Sequence, residues 1–313
     1  MLRGLNLIPA DVNLAFIPKR KLFFAFSILL VLTSIVLFMG KGLNYGIDFK
    51  GGIMLEVRTE KAANIAAMRK QLGDLGLGEI ALQEFGQPTD VLIRIQRQDG
   101  DEKAQQEAVA QVKQALGAGV EYRRTEFVGP KVSNELFVDG LMAVGLAILA
   151  ILVYIWFRFE WQFGFGAVVA LGHDVISTIG IFALFGLEFN LSTVAAVLTI
   201  AGYSINDTVV VFDRVRENLR KYKKMPLPEI LNNSINETLS RTVITSVTTL
   251  IALLALYFLG GAVIRDFSFA MIWGVLIGTY SSICLAVPIL LNLNIQRRGT
   301  LVGETVEDAP KTP

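Results

Sequence analysis

The sequence predicts a membrane protein of six transmembrane α-helices, with one small α+β domain inserted between the first and second helix. Three observations predict it. Of 313 residues 53% are hydrophobic, and the mean hydropathy of +0.52 is more than a soluble domain of this length needs for its core. Six stretches reach the roughly 17–25 apolar residues that cross a bilayer. One long polar interval, 40–133, separates the first of them from the rest. A net charge of +1 gives no basic excess, so nothing points to nucleic acid. The single cysteine, Cys284, lies in an apolar run. It leaves no internal disulfide and no cysteine metal cluster to expect, and reads as a small buried hydrophobe.

Residues 1–21 form a basic N-terminal segment, with Arg3 and the run Lys19, Arg20, Lys21 ahead of the first span at 22–39. That span is too long for a signal-peptide core and is not followed by an A-x-A-like site, so it reads as a retained anchor. The other spans fall at 136–157, 163–187, 191–212, 243–259 and 267–293, within a membrane section of 134–296 that holds a basic loop at about 214–237 and leads to a tail at 297–313. Arg158, the cluster Arg214, Arg216, Arg220, Lys221, Lys223 and Lys224, and Arg297 with Arg298 all fall in loops on the side of the N-terminus. The opposite short loops hold Glu188, and Arg265 beside Asp266. The positive-inside rule then places both termini in the cytoplasm and the insertion on the outer face. Gly274 and Gly278 in the sixth span, and Gly164, Gly166, Gly172 and Gly180 in the third, allow close backbone approach, and Pro288 is placed to kink the sixth.

The insertion reads as strand 53–59, helix 62–75, strand 79–85, strand 91–97, helix 102–116 and strand 120–128. Alternation in Leu92-Ile93-Arg94-Ile95-Gln96 marks a strand, and the spacing of Ile65, Met68, Leu72 and Leu75 marks a helix. The order β-α-β-β-α-β predicts a ferredoxin-like domain. It holds no cysteine, no histidine and no glycine loop for phosphate. Binding or positioning a partner is the expected role, with a spacer as the alternative.

Chemistry is expected in the spans. Asp207 follows Asn206 within an apolar stretch, where a charged side chain costs roughly 2.5–3.5 kcal/mol or more at the bilayer centre. An intramembrane acid is therefore a functional candidate, against the alternative of a structural ion pair near a helix end. At 1.5 Å per residue Asp207 lies about 24 Å along the fourth span, and His173-Asp174 lies about 18 Å into the third. His173 is the only histidine, so it and one aspartate are too few ligands for a metal, and no metal or cofactor is expected. Asp174 must find a partner or stay protonated. Arg241, in the run 240–246 at the start of the fifth span, falls at the depth of Asp207, and an ion pair between them is expected. Thr242, Thr245, Ser246, Thr248 and Thr249 add hydroxyls that either reach neighbouring helices or bond back to their own helix. An acid held between desolvation and a nearby cation changes protonation when a helix shifts, and a membrane potential supplies about 2.3 kcal/mol per charge per 100 mV.

The segments Asn44-Tyr45-Gly46-Ile47-Asp48-Phe49-Lys50-Gly51-Gly52, Phe127-Val128-Gly129-Pro130, Gly172-His173-Asp174-Val175, the long string from Tyr203-Ser204-Ile205-Asn206-Asp207-Thr208 through Phe212-Asp213-Arg214-Val215-Arg216-Glu217-Asn218, and Thr238-Leu239-Ser240-Arg241-Thr242 resemble the SecF family of bacterial protein export, related to the resistance-nodulation-division transporters. The resemblance covers nearly the whole chain, and the string around Asp207 is its most specific part. It implies a subunit of the bacterial inner membrane that pairs with SecD and uses the proton motive force to assist late steps of translocation through SecYEG. SecA would deliver the unfolded polypeptide, with YajC and YidC as further partners. By the same resemblance Asp207 and Arg241 belong to a proton pathway with Asn206 and Asp174 beside them, while Asp213, Arg214 and His173 are structural. Asp48, Phe49, Gly51, Gly52, Gly129 and Pro130 carry the family motifs. Lys131-Val132-Ser133-Asn134 departs from the pattern, since a second glycine is expected near Ser133. Beside a proton-driven translocation subunit, the residues alone leave open a proton-coupled transporter of a small solute, an intramembrane aspartyl protease and a scaffold. The transporter would show an internal repeat, and the protease a Tyr-Asp and Gly-x-Gly-Asp context that this chain lacks.

Overall fold

The computed structural model describes residues 13–293 and 295, apart from 85, 101 and 261–263. The basic residues Arg3, Arg297 and Arg298 and the tail 297–313 lie outside the described residues. The first span is α1, Arg20–Lys41. It is followed by the two-residue strand β1, Asn44–Tyr45, and a single helical turn, α2, Ile47–Lys50.

Then comes the predicted insertion: β2 Gly52–Thr59, α3 Ile65–Gly73, β3 Ile80–Glu84, β4 Asp90–Ile95, α4 Glu102–Leu116 and β5 Val120–Val128. The sheet order is β3-β4-β2-β5 with every neighbour antiparallel, the split β-α-β arrangement of a ferredoxin-like domain. Its core joins Ile53, Leu55 and Val57 of β2 and Val91 and Ile93 of β4 to Leu72 of α3 and Val112 of α4, all fully buried. Asn64 caps α3 by accepting from the Ala67 amide. The other face of β2 is also covered, since Met54 and Glu56 are buried. A cleft there of about 170 Å³ is walled by Glu56 and Leu92 on the domain side and Glu188 and Asp266 on the membrane side.

The remaining spans are α5 Pro130–Arg158, α6 Trp161–Phe185, α7 Leu191–Lys221 and α8 Leu227–Leu259, with the strand β6, Glu188–Phe189, between α6 and α7. The last span is α9, Arg265–Ser281, continued by a π-helical turn Ser282–Ala286 and a short α10, Val287–Ile289. All six are long and apolar enough to cross a membrane. The helices of the first, second, fourth and fifth spans run beyond the predicted apolar stretches, continued by polar turns, whereas the third and sixth start two residues earlier than predicted and end two and one residues earlier, at Phe185 and Asn292. Most of the stretch 214–237 is accordingly helical, as α7 runs to Lys221 and α8 starts at Leu227. Pro288 has no N–H for the Cys284 carbonyl, and the irregularity it imposes is the π turn just before it.

Burial sorts the spans. α6, α7 and α9 bury half or more of their apolar windows, while α5 buries none of its own and α1 11%. The bundle is therefore a three-helix centre with α1, α5 and α8 at its edges.

Candidate functional site

Close approach of α7 and α9 creates the site. A Cβ on Gly274 would lie 2.2 Å from Cγ1 of Ile200, and one on Gly278 would lie 3.3 Å from Cβ of Ser204. Only glycine admits that approach at Gly274. The hydroxyls that follow on each helix therefore meet: Thr208 Oγ1 and Ser282 Oγ share a hydrogen bond of 2.9 Å.

Asp174 lies at the centre of α6, α7 and α9 and is completely buried. Its Oδ2 accepts from Ser204 Oγ at 2.5 Å and from Ser281 Oγ at 2.7 Å, and its Oδ1 lies 2.9 Å from His173 Nδ1. Three helices are thus joined through one carboxyl group. His173 is itself buried, its ring 6.0 Å from that of Tyr280, and its Nε2 has no hydrogen-bond partner among the described residues. Tyr280 in turn donates to the Phe23 carbonyl of α1 at 2.8 Å.

Asp207 is half-buried one turn along α7 from Ser204. Thr242 Oγ1 donates to its Oδ1 at 2.9 Å, while its Oδ2 is enclosed and has no partner among the described residues. The expected ion pair with Arg241 is not formed. No arginine nitrogen lies within 4.0 Å of the Asp207 carboxylate among the described residues, and the Arg241 side chain is exposed. The physical reason is helical phase: Arg241 and Thr242 are about 100° apart on α8. With Thr242 turned inward to Asp207, Arg241 points out of the chain. Asn206 is exposed too. Of the predicted hydroxyls, Ser246 pairs with Thr279 at 2.6 Å and accepts from Tyr203 at 3.1 Å. Thr245, Thr248 and Thr249 bond back to their own helix, each 2.8 or 2.9 Å from a carbonyl.

Sequence reasoning missed Ser204, Thr208, Ser281 and Ser282. The available signal was spacing, because Ser204 and Thr208, and likewise Gly278 and Ser282, are four residues apart and share one helix face.

The other motif residues shape the outer junction and the rims. Asp48 Oδ2 accepts from the Leu191 amide at 3.0 Å, capping the N-terminus of α7. Phe49 packs edge-on to Phe137 of α5 at 5.9 Å and lies 6.1 Å from Phe189. Gly51 and Gly52 have φ of 71° and 125°, and a Cβ on Gly52 would lie 2.6 Å from the Ile95 carbonyl. The pair turns the chain from α2 into the sheet. Gly129 is the N-cap of α5 and Pro130 its first residue. β1 and β6 pair in parallel, and Arg94 beside them donates to Asn44 Oδ1 at 2.8 Å and to Glu188 Oε2 at 2.5 Å. Burial pushes the Glu188 carboxyl above its ordinary range, with Arg94 pulling against it. At the far end Asp213 pairs with Arg158 at 2.6 Å, and Arg214 with Glu217 at 2.7 Å and Glu237 at 2.6 Å.

The same organisation recurs in known proteins. Residues 108–296 match the family described as protein export membrane protein SecD/SecF, C-terminal, and residues 36–63 match the SecD/SecF GG motif. The protein translocase subunit SecF of Rickettsia rickettsii is 48% identical over 91% of this chain and 94% of its own. That of Cereibacter sphaeroides is 48% identical over 94% of both. The crystal structure of SecDF, a translocon-associated membrane protein from Thermus thermophilus, superposes with a TM-score of 0.84 at 37% identity. It aligns with 91% of this chain, which spans only 39% of that longer one. A second SecDF structure, in a super-membrane-facing form, superposes at 0.63 with 34% identity, over 90% of this chain and 39% of that one. Six membrane-crossing helices, the glycine motif at the domain junction and near-complete alignment with named SecF subunits together establish that the chain belongs to the SecD/SecF family of protein export membrane proteins, as a SecF member.

Proposed function

We propose that the chain is the SecF-like half of a SecD–SecF complex in a bacterial inner membrane, which uses the proton motive force to assist late translocation through SecYEG. Both termini face the cytoplasm and the α+β domain faces out in this reading. The observation that carries it is Asp207, an intramembrane carboxyl group that accepts from the Thr242 hydroxyl and whose enclosed Oδ2 has no hydrogen-bond partner among the described residues. A hydroxyl donates or accepts, so Thr242 serves either protonation state of Asp207. Arg241 and Asn206 beside it face outward from the bundle. A guanidinium at that depth requires a polar partner, which supports a second membrane subunit against α7 and α8, and SecD is the partner that fits. Asp174 is the secondary candidate on the path, reached from the Asp207 region through Thr208, Ser282 and Ser204.

The test is export driven by a proton gradient in vesicles holding the assembled complex. Asp207→Asn should abolish the proton-dependent stimulation while the complex still assembles. Arg241→Met should do the same, because it removes the cation nearest the site. Stimulation at the wild-type level in Asp207→Asn would remove the proton role.

A further inference from the structure

The rim where α5 ends and α7 leaves the bundle holds a cleft of about 500 Å³ lined by Arg158, Asp213, Arg216, Glu217, Arg220 and Lys221. Its two acids are already committed, Asp213 to Arg158 at 2.6 Å and Glu217 to Arg214 at 2.7 Å. Arg216, Arg220 and Lys221 have no carboxylate within 4.0 Å among the described residues. The spacing on α7 puts Arg216 and Arg220 on one face, with Lys221 beside them.

The guanidinium groups are held in place. Arg158 lies 4.9 Å and Arg216 5.6 Å from the ring of Phe159, which is buried against Phe163 and Phe212 at 6.2 and 5.9 Å. Arg216 also donates to the Arg158 carbonyl at 3.5 Å. Beside the cleft, Trp156, Phe157 and Trp161 are 77%, 85% and 62% exposed. Trp156 and Phe157 carry on the apolar, exposed surface of α5, where Leu146, Leu149 and Val153 are exposed in turn, and Trp161 opens α6. Aromatic residues of this kind mark the interface level of a bilayer. Cations without a carboxylate partner at the end of an acyl-length apolar surface are complementary to a phospholipid with an anionic headgroup.

We propose that this cleft binds the phosphate-bearing headgroup of an anionic phospholipid, with its acyl chains along α5. The site lies away from the intramembrane acids and does not depend on their role. Trp156 and Trp161 flank it, whereas Trp273 is bonded to Ser177 inside the bundle. Two native reporters are therefore in position. The full chain in a zwitterionic detergent is titrated with brominated phosphatidylglycerol or brominated phosphatidylcholine, and tryptophan quenching is followed. Phosphatidylglycerol should quench saturably at lower concentration. Arg220→Gln should weaken that binding about fivefold, and Arg216→Gln/Arg220→Gln/Lys221→Gln about a hundredfold, at the contribution of a single cation near a membrane surface. Removing Lys61, Arg69 and Lys70, exposed on the outer domain, should change nothing. Equal quenching by the two lipids, wild-type affinity in the triple variant, or the same loss in the outer-domain variant overturns the proposal. Displacement of the lipid by equimolar inorganic phosphate does so as well, by making the site one for a soluble anion.

Discussion

Asp90 of the α+β domain and Glu188 and Asp213 at the ends of the spans are met by arginine, and the two acids within the spans, Asp174 and Asp207, are met by hydroxyls. Asp90 takes Arg58 Nε and Nη2 at 2.6 and 2.8 Å, Glu188 takes Arg94, and Asp213 takes Arg158. Asp174 instead takes Ser204, Ser281 and the His173 ring, and Asp207 takes Thr242. A guanidinium only donates, so it fixes a carboxylate as an anion. Hydroxyls and an imidazole both donate and accept, and they remain satisfied whether the acid is protonated or not. Arginine-held acids are thus fixtures of the architecture, while hydroxyl-held acids can change charge without unmaking the fold around them.

The largest effect expected from breaking this pattern is on stability at Asp174. Asp174→Ala leaves two serines and a histidine without their common acceptor in a fully buried site, and should cost about 3 kcal/mol of bundle stability, measured by unfolding in detergent. Asp174→Asn should recover most of it, since an amide both donates and accepts. A negligible loss in the alanine variant would mean that the three helices are held without their carboxyl knot. At Asp207 the corresponding change is smaller. Thr242→Val removes the Thr242 donor with little change of shape, and intramembrane hydrogen bonds average about 0.6 kcal/mol. Stability should barely move, whereas the pH dependence of the proposed proton-driven export should shift. An unchanged pH profile would separate Thr242 from the function of Asp207.

Legibility in the sequence followed the strength of the physical signal. The spans were readable because twenty apolar residues have few other uses, and the insertion because α3 and β4 show helical and strand periodicity, with α4 and β5 completing the order. The bounds of α4 and β5 in the structure are those predicted, 102–116 and 120–128. The polar first half of α8 was not readable, because Leu227 to Thr242 lacks an apolar run and hydropathy is silent there. β1, α2 and β6 escaped for a different reason: they are too short to show a period, and β1 and β6 are defined by their long-range pairing, Asn44 with Glu188 and Tyr45 with Phe189. Asp174 and Asp207 were visible as misplaced charges. Thr242 and His173 were in view as candidates, but Ser204 and Ser281 were not, since a serine in a membrane helix is unremarkable until the facing helix is known. Depth arithmetic put Arg241 level with Asp207, but depth does not fix azimuth, and the inward place went to Thr242.

The smallest predicted effect tests the arginine-held side of the comparison. Arg58 holds the Asp90 carboxyl below its usual range, chiefly through their hydrogen bonds and against the cost of burial. A depressed acid contributes stability that is fully present above the unfolded value, about 3.9, and that is lost as pH falls through the folded one. Protection of the Val57 and Val91 amides, which lie opposite one another on β2 and β4 beside the Arg58–Asp90 pair, should therefore hold from neutral pH down to about 4 and decline below it, after correction for intrinsic exchange. Asp90→Asn should lower protection at neutral pH and flatten the acid decline. Arg58 is partly exposed, so solvent screening keeps the difference modest. If wild type and Asp90→Asn declined together, Asp90 would not be held as an anion by Arg58, and the contrast with the hydroxyl-held acids would lose its reference.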